Sequence, residues 1–200
     1  MPFIFLYNQF SFDNNQCEKG KKMKISIKLV SALAVMTAVI TCLTGCANYS
    51  KQKALYDYTS SLSTDTVYIE AAQDAAKRLS STTDYKMAMS QLKTVISYMD
   101  KVVESANDRN SNLTDPEIKD IDNSYVQYIS DLSSAYKSLY DGYYTYDDAK
   151  IRESNVYLES SLDNATTYVN KLDAFCKKYH IKGADTDALR GLINDARPEK

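Results

Sequence analysis

The sequence predicts an all-α fold: an up-down-up-down antiparallel four-helix bundle with a short C-terminal helix. Three observations carry the prediction. Apolar residues recur every seven positions through four successive segments, the pattern of helices packing at small angles. Short polar runs separate those segments, and short connections make consecutive helices antiparallel neighbours. Breakers are scarce: beyond residue 45 the glycines are Gly142, Gly183 and Gly191 and the prolines Pro116 and Pro198.

In the first segment Leu55, Leu62, Ile69 and Ala76 interleave with Tyr58, Ala72 and Leu79, with Asp65 the polar intruder on that face. Ser80-Ser81-Thr82-Thr83-Asp84 ends it, and Asp84 is placed to cap the next helix. The second segment repeats Tyr85, Leu92, Met99 and Ala106 with Ala88, Val95 and Val102. Met89, Ile96 and Val103 widen the stripe, and Met87 and Met89 both read as core. Asn107 to Thr114 reads as a turn-rich loop. Thr114 and Glu117 have capping-box spacing, with Pro116 tolerated in the first turn of the third helix. That helix repeats Ile118, Tyr125, Leu132 and Leu139 with Ile121, Tyr128 and Ala135, widened by Ile129 and Tyr136. After a break over Tyr143 to Asp148, capped by Asp147 or Asp148, the fourth repeats Ile151, Leu158, Ala165, Leu172 and Tyr179 with Leu162, Val169 and Cys176. Gly183 is expected to stop it, and a short helix to run from Asp185 or Thr186 to about Asn194. Stripes this wide suit a globular bundle better than a two-stranded seam.

Ahead of the bundle lies a leader. Met23 to Lys28 is basic, Leu29 to Leu43 is apolar, and the run closes on Leu43-Thr44-Gly45-Cys46. This ending resembles the lipobox of bacterial lipoproteins. The resemblance covers residues 23–46. It implies a diacylglyceryl thioether on Cys46, cleavage before Cys46 and acylation of the new amine. An uncleaved anchor over Ile25 to Ala47 is the alternative, but the run is short for a span and holds Lys28. Residues 1–22 read as an upstream extension, since Met23 opens a complete signal. Glu18 to Lys22 also have codons rich in purines, as a ribosome-binding site would. The expected organisation is therefore an extension over 1–22, a signal over 23–45, lipidated Cys46 with a short tether over 46–54, the bundle over 55–182, and a C-terminal helix and tail over 183–200.

The 155 residues from Cys46 onward carry 19 basic and 24 acidic side chains, a net charge of −5, with no basic cluster to suit nucleic acid. Cys46 and Cys176 are the cysteines in that stretch, so with Cys46 blocked by lipid no internal disulfide forms. His180 is the sole histidine of the chain. Cys176 and His180 stand four apart, the spacing of one helix face, but a structural zinc needs further ligands and no metal or cofactor is expected. No glycine-rich phosphate loop, calcium loop or catalytic triad is present, and the chain is read as non-enzymatic.

Aromatic usage is lopsided: 16 tyrosines, one phenylalanine and no tryptophan follow the leader. Tyr136, Tyr140, Tyr143, Tyr144 and Tyr146 crowd into eleven residues with Asp141, Asp147 and Asp148. Up-down topology sends this cluster to the end of the bundle away from Cys46. The opposite end collects residues 47–55, the 107–114 loop and Lys177 to Lys182, whose lysines would face headgroups. Tyr140, Tyr143, Tyr144 and Tyr146 are the candidate contacts for an envelope protein or glycan, because tyrosine adds contact area at low entropy cost. Alternatively they complete the bundle end. Asp65 is the candidate core polar site, bonding a buried tyrosine, setting register or marking a small-ligand cavity between helices. Oligomeric state is not legible.

Overall fold

The computed structural model describes residues 29, 31–33, 49–181 and 186–197. Among them no strand occurs, and the fold is all-α. The helices are α1 (Tyr49–Ser61), α2 (Ser63–Ser81), α3 (Tyr85–Asn112), α4 (Pro116–Thr145), α5 (Asp148–Lys178) and α6 (Thr186–Ala196). α2 packs along α3, α3 along α4 and α4 along α5, while α6 lies on α5. The heptad residues form one continuous core, from Leu55 and Ile69 through Leu92 and Leu132 to Leu162 and Leu172. Residues 1–28, the run Leu43, Thr44, Gly45 and Cys46, and Gly183 lie outside the described residues.

Several expected boundaries move, each for a local reason. The first heptad segment is two helices, broken at Leu62. There Ser61 Oγ and Thr59 Oγ1 donate back to Tyr58 and Tyr56 carbonyls, and Leu62 N donates to Thr59 O in a tighter i−3 turn. α1 also begins at Tyr49, inside the expected tether.

The expected loop over Asn107 to Thr114 is helical as far as Asn112. Its polar side chains bond back along the helix, Asn107 to Val103 O and Asn112 to Asp108 O. Arg109 and Asn110 reach across to α4, so tertiary bonds hold a stretch whose composition favours a turn. Asp115 rather than Thr114 caps α4, accepting from Glu117 N and Ile118 N, with Pro116 at the first helical position. Asp84 and Asp147 cap α3 and α5 by accepting from Met87 N and Ala149 N. Met87, read as core, sits in that first turn 55% exposed, whereas Met89 is buried.

α5 stops at Lys178, before Gly183 is reached. His180 takes a left-handed backbone (φ 53°) and Ile181 N donates to Cys176 O, the Schellman closure with a histidine where glycine is usual. α4 ends the same way: Tyr146 has φ 58° and Asp147 N donates to Gly142 O. Gly142 allows the tight return into α5, since a Cβ there would stand 2.7 Å from Ile151 Cγ1 and 2.9 Å from Ile151 N.

Leu29, Ala32 and Leu33, within the stretch expected to be a leader, belong to the core. Leu29 and Ser31 to Leu33 are helical, and Leu29, Ala32 and Leu33 are buried. Tyr136 Oη donates to Leu29 O at 2.8 Å, Tyr128 Oη to Ala32 O, and Gln73 Nε2 to Leu33 O at 2.8 Å. These residues thus bridge α2 and α4. Among the described residues no helix is long and apolar enough to cross a membrane.

Candidate functional site

Two places concentrate chemistry, one at each end of the long helices. At the α4–α5 turn, the crowded tyrosines divide by burial. Tyr136 is fully buried, Tyr140 and Tyr143 are half-buried, and Tyr144 and Tyr146 are 65% and 69% exposed. Tyr140 and Tyr144, four apart on α4, stack with centroids 5.7 Å apart and planes within 12°. Lys93 of α3 sits 5.3 Å above the Tyr140 ring, a cation–π contact. Tyr85, at the start of α3, donates to Tyr143 O at 2.9 Å. Its hydroxyl titrates above its ordinary range, through burial and then through the neighbouring Tyr146 hydroxyl. The cluster therefore joins α3 to the α4–α5 turn, with the Tyr144 and Tyr146 rings turned to solvent. Tyr85 and Lys93 join it from a distant part of the chain, and no spacing in the sequence pointed to them.

At the other end, Asp65 of α2 is fully buried and accepts three hydrogen bonds: Arg109 Nη1 at 2.6 Å, Ser105 Oγ at 2.7 Å and Tyr125 Oη at 3.1 Å. Arg109 also donates from Nε and Nη2 to Asp122 Oδ1 at 3.2 and 3.0 Å, and Asn110 donates to Asp122 Oδ2 at 3.0 Å. Tyr125 and Tyr58 flank the guanidinium, 5.0 and 5.9 Å from its centre, and Tyr58 donates to Tyr168 Oη of α5. Two buried carboxylates thus share one guanidinium. Burial alone would depress Arg109, but the fields of Asp65 and Asp122 outweigh it and hold the cation above its ordinary value. Tyr58, Tyr125 and Tyr168 are pushed well above theirs, chiefly by burial, so all three stay neutral.

The heptads carried a signal for this network. Arg109 stands seven after Val102 and Asp122 seven before Ile129, each extending a core stripe by one step. Of the three charged members, Asp65 stands out in the sequence as a polar residue on an apolar face; Arg109 does not, because it lies in a stretch with the composition of a loop.

Outside the network an open cleft of about 600 Å³ lies between α1, α3 and the start of α4, with Tyr58, Ser105 and Arg109 in its wall and Asp57, Asp108 and Asp115 around it. Four of the lysines expected to face headgroups are engaged within the protein, and Lys182 lies outside the described residues. Lys51 pairs with Asp115 at 2.7 Å, Lys178 with Glu117 at 3.1 Å, Lys53 with Asp57 and Lys177 with Asp173. Tyr179 Oη also donates to Glu117, at 2.8 Å, tying the start of α4 to the end of α5. Hydrogen bonds from Tyr179 and Lys178 hold the Glu117 carboxyl below its ordinary range.

Cys176 is buried, which pushes its thiol up to about 11, and it is the free cysteine among the described residues. Because α5 ends at Lys178, His180 lies beyond the helix, and the shared face expected of Cys176 and His180 does not form. Among the described residues no group of three or more His, Cys, Asp or Glu side chains is placed to hold a metal ion. No family model matches the chain, and no curated protein or solved structure is significantly similar to it.

Proposed function

We propose that the chain is a lipid-anchored, non-enzymatic protein of the bacterial cell envelope, acting through contact with an envelope protein or glycan. In this reading Leu43, Thr44 and Gly45 direct cleavage, Cys46 carries the lipid, and the mature helices run up-down-up-down as a four-helix bundle. α1 begins three residues after Cys46, so the end holding Asp115, Glu117 and Lys178 rests near the headgroups. α4, at 30 residues, spans roughly 45 Å at about 1.5 Å per residue and sets the tyrosine tip off from the membrane by about that distance. The observation that carries the reading is the exposed pair Tyr144 and Tyr146, with half-buried Tyr140 and Lys93 beside them, at the end remote from the anchor. A ring stack with an exposed outer face suits a sugar face or a flat protein epitope.

Crosslinking in intact cells followed by affinity capture tests it. The wild-type protein is expected to capture a defined envelope component. Cys46→Ala, which has no anchor, and Tyr144→Ala/Tyr146→Ala, which has no tip, are both expected to lose it. Capture unchanged in the tip variant would sink the tip as the contact.

The cleft beside Arg109 supports a second reading, a small ligand held between α1, α3 and α4. A bound compound released on denaturing the protein purified from its own cells would favour it. An empty protein whose cleft variants keep the phenotype would remove it.

A further inference from the structure

The contact pattern of the long helices leaves one side unsealed: α2 packs along α3 and α5 along α4, but α2 and α5 do not pack along one another. Leader residues fill the interior on that side. Leu29, Ala32 and Leu33 are almost fully buried there, and a row of side chains from two helices reaches their backbone, namely Gln73 from α2 with Tyr128 and Tyr136 from α4. All three are donors, and all three meet main-chain carbonyls of a helical segment.

Tyr128 and Tyr136 stand eight residues apart, about 12 Å along α4 at roughly 1.5 Å per residue, and form a ladder whose hydroxyls converge on carbonyls three residues apart. α5 adds a second observation. Ser154 and Ser161 are buried there, and among the described residues their hydroxyls have no hydrogen-bond partner. They follow Glu153 and Ser160, which pair with Ser138 and Asp131 of α4, so they lie at the level of the tyrosine ladder.

We infer that removal of the leader opens a preformed groove, between α2 and the α4–α5 pair, that takes an apolar α-helix from a partner protein. The helix would lie where Leu29 and residues 31–33 lie, seated by Gln73, Tyr128 and Tyr136. The occupant is a helix because the segment seated there is one, and because its polar contacts are to carbonyls along a helical backbone rather than to side chains. A small residue at the Ala32 position lets the backbone come within reach of Tyr128. This inference rests on the lipoprotein reading, since cleavage before Cys46 is what empties the groove. The precursor is then self-occupied and cannot engage its partner until it has been processed.

The test uses protein extracted from membranes and held in lipid nanodiscs. Its intact mass is read first. An uncleaved chain overturns the lipoprotein reading and this inference together; a lipidated chain beginning at Cys46 leaves the groove to be tested alone. The probe is a fluorescein-labelled peptide of residues 25–40, followed by anisotropy, with empty nanodiscs correcting for partition into lipid. Saturable binding to the processed protein is expected, at least about tenfold tighter than to the Cys46→Ala precursor, whose own leader fills the groove. Tyr128→Phe and Tyr136→Phe are each expected to weaken binding about fivefold, one neutral hydrogen bond apiece. Gln73→Ala, at a half-buried position, tests the same groove should the tyrosine variants fold poorly, as read by circular dichroism. Equal binding to both forms, or no binding to a cleaved protein, overturns the inference. So does binding of dansylundecanoic acid in place of the peptide, which would make the groove an acyl-chain site.

Discussion

Tyrosines gather at both ends of this molecule and do opposite things. Around Arg109, Tyr58, Tyr125 and Tyr168 are buried, their rings packed on α1, α4 and α5 and their hydroxyls committed to Asp65 or to each other. At the α4–α5 turn, Tyr144 and Tyr146 keep their rings toward solvent, with half-buried Tyr140 and Lys93 beside them. One residue type therefore serves as internal polar packing in one place and as contact surface in the other. The difference lies in what stands opposite. The lower end supplies buried charges that need donors in a medium of low dielectric, where an unpaired charge is costly. The upper end supplies a turn, which leaves nothing to pack against.

The strongest way to break this comparison is at Arg109. Arg109→Met removes the cation shared by Asp65 and Asp122 and leaves two carboxylates buried without a counter-charge. The expected loss is about 3–5 kcal/mol in urea unfolding. A loss below about 1 kcal/mol would mean that water reaches the carboxylates and that the network is a surface feature.

Gly142 probes the other end. In Gly142→Ala the new methyl meets Ile151, partly its backbone, so the α4–α5 turn must shift, and a loss of about 1–3 kcal/mol is expected in thermal or urea melts. Tyr146→Gly should act with the opposite sign. It relieves a left-handed tyrosine backbone that costs about 1–2 kcal/mol, partly offset by the added freedom of glycine in the unfolded chain. A net gain of about 0.5 kcal/mol is expected. Destabilisation instead would show that the Tyr146 ring is held by Tyr85, making the tip a packed element rather than an open surface.

The smallest effect concerns pH. Burial works against the Asp115 carboxylate, but Lys51 and the amides of Ile118 and Glu117 outweigh it and hold the group below its ordinary 3.8. A carboxyl depressed on folding contributes stability that is complete above its unfolded value and is lost as the pH falls through its folded value. The urea midpoint of the wild type should therefore drop below about pH 4. Asp115→Asn, which keeps a capping oxygen, should show a shallower drop over the same interval. Identical slopes would assign the acid sensitivity to Glu117, Glu153 or Asp173, which are also depressed.

Much of the architecture was legible because burial repeats with the helix. Leu55 through Leu79, Ala88 through Ala106, Ile118 through Leu139 and Leu158 through Cys176 are core residues at the positions their heptads assign. Asp84 and Asp147 are caps where an aspartate precedes an apolar repeat, and α6 runs from Thr186 as its pattern implied. Boundaries were legible where local chemistry acts alone and misleading where it competes with distant partners. Asn107 to Asn112 looks like a turn and is a helix because Arg109 and Asn110 are held by Asp122. Met87 has the composition of core but sits in a first turn that faces solvent.

By itself, then, the sequence determined the all-α class, the order of the helices, most of the core face and the aspartate caps. These follow from periodicity and from interactions reaching no further than four residues. The tertiary structure alone decided that Asp65 and Asp122 share Arg109, that Tyr85 and Lys93 join the tyrosine tip, and that Tyr128 and Tyr136 meet the leader backbone. Each of those depends on which faces of separate helices come together. Residues 13 to 107 positions apart then lie within hydrogen-bond or ring-contact distance, and no local spacing records that.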